Sequence, residues 1–233
     1  ASLIGVWLYK AGVLKNFRGV PASLMLVLLL ATTVWCKSLA AIGLMLAGMG
    51  ILLLSSRFGK PLFLILLVAV PLFYIPARAT GAWSGEGLIS FIEEHISQQR
   101  AESLEYRMGN ETILAEKAMQ RPIFGWGTWG KARVYDEQGR DISVTDGLWI
   151  IALGNHGLVG LMSLTLSILM PVFLLLRTCP ARYWAHPRIA PVAVLSVLLG
   201  LYMVDNLLNA MINPVFMLAA GGIAGLTQLS APV

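Results

Sequence analysis

The residues best suited to chemistry in this chain lie between Arg107 and Asp146. The stretch "PIFGWGTWG", residues 122–130, sets Trp126 and Trp129 among Gly125, Gly127 and Gly130. Glycine permits backbone angles and close approaches that other residues forbid. Tryptophan offers a flat apolar face that can stack on a sugar ring, and it is equally an anchor at a membrane–water interface. The stretch therefore reads either as an interfacial anchor with flexible turns or as a hinge that seats a loop over a lipid-linked sugar. It leads into the polar, basic run "KARVYDEQGRD", which holds Arg133 and Arg140. Asp146 closes this region, either as a base beside a hydroxyl or as the N-cap of a helix starting near Leu148. The three histidines (His95, His156, His186) and two cysteines form no HExxH or Cys cluster of the kind that holds a metal. His156, between Asn155 and Gly157, reads as an interfacial residue.

The elements that must position these residues are membrane-like. The chain is 57% hydrophobic and 12% charged, where a soluble domain carries about a quarter charged residues. Apolar runs occupy Val20–Cys36, Ser38–Ser56, Pro61–Ala77, Gly157–Leu176, Ile189–Val204 and Leu207–Leu229. Most approach the ~20 residues that a helix needs to cross ~30 Å of hydrocarbon. Residues 1–9 read as the end of an earlier span, and no basic segment precedes an apolar signal-like one. The expectation is the C-terminal portion of a longer, all-α, polytopic helix bundle. Transmembrane helices fill 1–77 and 148–233, and a polar module, 78–147, lies between them. Within it, Gln98–Gln120 has helical spacing at Leu104, Met108, Ala115 and Met119, and Pro122 stops it. Arg107 falls on a polar flank of that helix, four residues before Glu111.

Charge sets the sidedness. Lys10, Lys15, Arg18, Arg57, Lys60, Arg177, Arg182 and Arg188 occupy loops without acids, which the positive-inside rule makes cytoplasmic. Eleven of the twelve acidic residues lie between Glu86 and Asp146, which places the long module outside; Asp205 is the twelfth. The net charge of +5 is thus a topology signal, and nucleic acid is not an expected partner. Cys36 and Cys179 fall at opposite membrane faces and cannot bridge. Asp205, Asn206, Asn209 and Asn213 form a polar patch read as an interfacial turn.

The string "RMGNETILAEKAMQRPIFGWGTWGKARVYDEQGRDISVTDGLWIIALGNHGLVGL" resembles the signature region of the O-antigen ligase and O-antigen polymerase superfamily of membrane proteins. The matching elements are Arg107, the Pro122–Gly125–Gly127 pattern, Asp146–Gly147 and Gly157–Gly160; "CKSLAAIGLML" adds Lys37 at the entry to a span. Many ligases carry His-Asn where this chain has Asp146–Gly147, which tilts the resemblance toward polymerase-like members.

The resemblance implies a metal-independent GT-C glycosyltransferase in the bacterial inner membrane, with its long loop in the periplasm. Such an enzyme moves a glycan from undecaprenyl diphosphate to a glycan, lipid A-core or protein acceptor. A departing diphosphate needs cations, and a guanidinium grips two phosphate oxygens without losing its proton. Arg107 then holds the diphosphate, the alternative being a surface ion pair with Glu111 or Glu102. Lys37 is a second cation or a snorkelling anchor. Arg133 and Arg140 are further cations, Trp126 and Trp129 cover the substrate, and Asp146 assists the acceptor hydroxyl. The rival classes are a transporter or flippase, which calls for broken helices and mid-membrane charge, and a membrane scaffold.

Overall fold

The computed structural model describes residues 1–17 and 19–229, so Arg18, one of the topology-setting cations, lies outside the described residues. Among these the chain forms α1 (Ser2–Lys10), a two-residue β pair (β1, Asn16–Phe17; β2, Val20–Pro21), α2 (Ala22–Trp35), α3 (Leu39–Phe58), α4 (Leu62–Ala79), α5 (Glu86–His95), α6 (Gln98–Met119), α7 (Leu148–Thr178), α8 (Ala190–Asp205) and α9 (Pro214–Leu229). The fold is all-α apart from that β pair. Three helices, α3, α4 and α7, are long and apolar enough to cross a membrane. The other three expected spans are helices too, but α2 has only 14 residues. At ~1.5 Å per residue such a helix reaches ~21 Å, short of the hydrocarbon thickness. The fourth expected span begins earlier than its apolar run suggests: α7 starts at Leu148 and is broken, within its length, at Gly157.

The chain divides into two compact units. The first comprises Ala1–Val68, Ser167–Tyr202 and the segment from Pro214 onward. Its core holds the fully buried Trp7 and Trp184. Their indole N–H groups donate to Trp184 O and Cys179 O, both at 3.2 Å, which removes the cost of burying an unpaired donor. Ser38 caps α3 by accepting from Ala41 N, and Gly59, at φ 67°, ends it.

The second unit is Ala69–Leu166 with Met203–Asn213. It contains every candidate site residue except Lys37. Ile75, Leu114, Ala118, Trp149, Leu153 and Leu207 form its apolar core. Helix α6 takes the expected bounds within one residue, but its buried stripe is Leu104, Met108, Glu111, Ala115 and Ala118. That series follows the helical repeat more closely than the expected one, and it leaves Met119 41% exposed. Glu111 is therefore on the buried face, while Arg107 keeps its place on the flank.

Candidate active site

The Gly-Trp stretch closes a break in a helix. At Gly157 the backbone of α7 takes φ 64°, ψ −162°, a region open essentially only to glycine. The break frees amides and carbonyls that a helix would pair internally. Leu158 N and Val159 N donate to Pro122 O (2.7 Å) and Ile123 O (3.2 Å), while Trp126 N and Gly127 N donate to Gly154 O (2.8 Å) and Asn155 O (2.9 Å). Four groups are satisfied by one short segment. The approach demands glycine on both sides: a Cβ on Gly125 would lie 2.6 Å from Gly154 O, and one on Gly157 would meet the Ile123 carbonyl. Trp126 is clipped in place, its Nε1 donating to Lys117 O at 2.7 Å. Lys117 Nζ and Arg121 Cζ lie 3.8 and 4.2 Å from its ring centroid. Trp129 is the opposite case, 95% exposed at φ 63°, an uncommon backbone state for a bulky residue.

Beneath this lies a buried ion pair whose arginine the sequence reading missed. Arg78 Nε donates to Glu111 Oε2 at 3.2 Å. Its Nη1 donates to Trp83 O and Ser84 O, each at 3.0 Å. Its Nη2 donates to Met108 O (2.6 Å) and Thr112 Oγ1 (3.1 Å). All five guanidinium N–H groups are thus used. Tyr74 Oη donates to Glu111 Oε2 at 2.7 Å and Trp149 Nε1 to Oε1 at 3.0 Å. Burial pushes the Glu111 carboxyl above the ordinary glutamate range, against the pull of Tyr74, Trp149 and Arg78 on its charged form. A saturated pair of this kind ties α4, α6 and α7 together and has no donor left for a ligand. Tyr74, four residues before Arg78, is a local signal for it, whereas the place of Glu111 on the buried stripe of α6 shows only in the fold.

Arg107 is arranged differently. Only Nη1 is engaged, donating to Leu208 O at 2.6 Å and Asn209 Oδ1 at 3.1 Å. Its Nε and Nη2 donors have no partner among the described residues. The ion pair expected with Glu111 does not form, because Glu111 belongs to Arg78. Asn209 Nδ2 in turn donates to Asp205 Oδ1 at 3.1 Å, so the polar patch at the end of α8 is what braces the guanidinium. The same turn receives the start of α7, with Leu148 N donating to Asn206 O at 2.9 Å. Gly147 passes so near that an added Cβ would sit 2.5 Å from Leu207 O.

This corrects the capping alternative for Asp146. The first amide of α7 is held by a backbone carbonyl, and Asp146, half-buried two residues earlier, makes no side-chain hydrogen bond among the described residues. Arg107 and the segment carrying Asp146 meet at one turn, 205–209.

Arg133 and Arg140 have their charges occupied. Arg133 Nη1 donates to Asp141 Oδ2 at 2.6 Å and to Ser143 O at 3.2 Å. Arg140 Nε donates to Asp136 Oδ2 at 2.8 Å. Both brace a hairpin-like loop closed by the Tyr135–Asp141 bridge. Backbone amides donating to the carboxylates, Arg140 N to Asp136 and Ser143 N to Asp141, hold both acids below the ordinary aspartate range. A cavity of ≈ 190 Å³ opens beside this loop, lined by Trp129, Arg133, Thr145, Asn155, Leu114 and Ile150. An aromatic face, a guanidinium, a hydroxyl and an amide are the side chains that bind a polyhydroxylated ring. A larger groove of ≈ 740 Å³ runs along α5 and α6, with Glu86, Glu105 and Glu116 among its walls.

Lys37 belongs to the first unit, exposed at the α2–α3 turn with φ 51°. His156 is exposed, one residue before the break. No group of three or more His, Cys, Asp or Glu residues that could hold a metal occurs among the described residues. Comparison with protein-family models, curated proteins and solved structures finds no match to this chain.

Proposed function

We propose that this chain is part of a multi-pass membrane glycosyltransferase that moves a glycan from undecaprenyl diphosphate to an acceptor hydroxyl during surface polysaccharide assembly. The observation that carries the reading is Arg107: it is fixed through one nitrogen to the 208–209 turn and its other donors are open among the described residues, beside the segment of Asp146. An immobilised guanidinium with free Nε and Nη2 donors presents a fork to phosphate oxygens at little further entropic cost. In the step, the bond between the anomeric carbon and the diphosphate oxygen breaks, and its electron pair leaves on the diphosphate facing Arg107. The acceptor oxygen bonds to that carbon and gives its proton to Asp146. The cavity at Trp129, Arg133, Thr145 and Asn155 takes a sugar ring.

The polytopic arrangement, with residues 78–147 on the periplasmic face of the inner membrane, belongs to the same proposal and rests on the segregation of basic and acidic loops. Cysteine labelling at positions 138 and 182 in intact spheroplasts tests it, with labelling expected at 138 alone. The broken helix does not favour a transporter, since the carbonyls freed at Gly154 and Asn155 are already taken by Trp126 and Gly127. The deciding experiment gives the purified protein a lipid-linked oligosaccharide and an acceptor. A new glycosidic bond supports the enzyme, and movement of intact lipid-linked sugar without bond formation replaces it. In a deletion strain, loss of the polymer length ladder marks a polymerase, and full-length polymer accumulating on the carrier marks a ligase.

A further inference from the structure

Between Lys117 and Tyr135 the chain has four cations and no acid, inside the region that carries eleven of its twelve carboxylates. Arg133 is paired to Asp141. Lys117 and Arg121 instead converge on one indole, at 3.8 and 4.2 Å from the Trp126 ring centroid, and neither has an acidic partner among the described residues. Holding two like charges together raises their joint affinity for an anion, and the ring face offsets part of their repulsion.

Next to them Ile123 and Phe124 are exposed, Phe124 by 74%. The backbone of this pair is pinned by Leu158 N and Val159 N to the first turn of α7 beyond its break. There Leu158, Val159 and Met162 are exposed as well. The remainder of that helix is long and apolar enough to cross a membrane.

We propose that this corner is a docking site for anionic phospholipid, with headgroup phosphate held by Lys117 and Arg121 and acyl chains laid on Ile123, Phe124, Leu158 and Val159. The apolar patch continues the surface of a membrane-length helix, and the cations sit where headgroups begin. Trp126 gathers the cations, and the Gly125–Gly157 contact holds the apolar residues at the helix. The inference needs α7 to cross a bilayer and is independent of glycosyl transfer.

The test uses the full chain with Cys36 and Cys179 replaced by serine, spin-labelled at Phe124→Cys or, as a control, at Glu137→Cys in the hairpin. Samples are reconstituted in nanodiscs of phosphatidylcholine alone or with equal parts of phosphatidylglycerol. The label at 124 is expected to relax with oxygen and to be shielded from an aqueous nickel chelate, with the reverse at 137. Phosphatidylglycerol is expected to increase the shielding at 124, and K117Q/R121Q to abolish that increase while oxygen access remains. Free inorganic phosphate should not reproduce the effect. If the double variant fails to fold, R121Q alone serves, since Arg121 is exposed. A label at 124 as open to nickel as the one at 137, or shielded from both reagents as in a protein–protein contact, overturns the proposal. So does an increase with phosphatidylglycerol that survives loss of the cations.

Discussion

The amide of Leu158 donates to the carbonyl of Pro122 at 2.7 Å, joining the first turn beyond a broken helix to a loop more than thirty residues earlier. That bond belongs to a close backbone approach that explains the glycines at 125 and 157. Gly157→Ala forces a side chain onto φ 64°, ψ −162°, a strain of about 1–3 kcal/mol, and drives it into the Ile123 carbonyl. Gly125→Ala meets Gly154 O from the other side. Both variants should lower the thermal midpoint in detergent, whereas Gly127→Ala meets no neighbouring atom and is limited to its own backbone strain at φ 85°. Equal midpoints for all three contradict the close-approach account.

Glu111→Gln leaves the Arg78 guanidinium buried without its counter-charge, both side chains being 3% exposed. Breaking a buried pair from one side typically costs about 3–5 kcal/mol. A large fall in the melting midpoint is expected, and Arg78→Lys should not rescue, because an ammonium cannot serve five acceptors in a planar fork. A wild-type midpoint for Glu111→Gln excludes the pair as a structural tie.

The two loop tryptophans should separate. Trp126 donates to Lys117 O and carries two cations on its face, so Trp126→Ala is expected to weaken folding along with function. Trp129, exposed and strained, should leave the midpoint unchanged or higher when replaced by glycine, with turnover reduced. Melting curves and turnover measured on the same preparations decide between this and a shared anchoring role.

Arg107→Lys is expected to lower the proposed glycosyl transfer about 10²–10³-fold, the usual cost of losing a donor to a developing anion. Asp146→Asn should lower it about 10²–10⁴-fold, as for loss of a base. Asp146 makes no capping bond among the described residues, so its variant should melt like the parent. Full activity in either variant removes that residue from the mechanism.

Asp136 and Asp141 bind protons less readily in the folded hairpin than in an open chain, with values lowered from 3.8. Their stabilisation of the loop is therefore complete above pH 3.8 and is lost as pH falls through the depressed values. NMR signals of the Gln138, Arg140 and Ser143 amides, which donate to these carboxylates, should stay fixed down to that point. Movement at higher pH contradicts the assignment.

Local chemistry in the sequence was readable where it depends on neighbours. Pro122 ends α6 because a proline cannot continue it, and the glycines of 125–130 marked a special backbone. The long-range pairings were not readable. Nothing near Arg107 announces a partner 101 residues away at Leu208. Arg78, at the end of an apolar run, looks like an interfacial cation until Glu111 is seen to turn inward. The start of α7 near Leu148 was readable, but the apolar run was taken to begin at Gly157 because Gly154–Gly157 interrupts the pattern, and the repair of that break by a distant backbone was not readable.

The 205–209 turn also fixes the order in which this protein can come into being. Arg107 and Leu148 both find their partners among Asn206, Leu208 and Asn209. During synthesis, the polar module can leave the ribosome and fold its Arg78–Glu111 tie long before those partners exist. The Arg107 guanidinium must then wait, unbraced, until α7 and α8 have been made. A chain halted before Leu208 would hold every residue proposed to act on substrate and still lack the brace that aims Arg107.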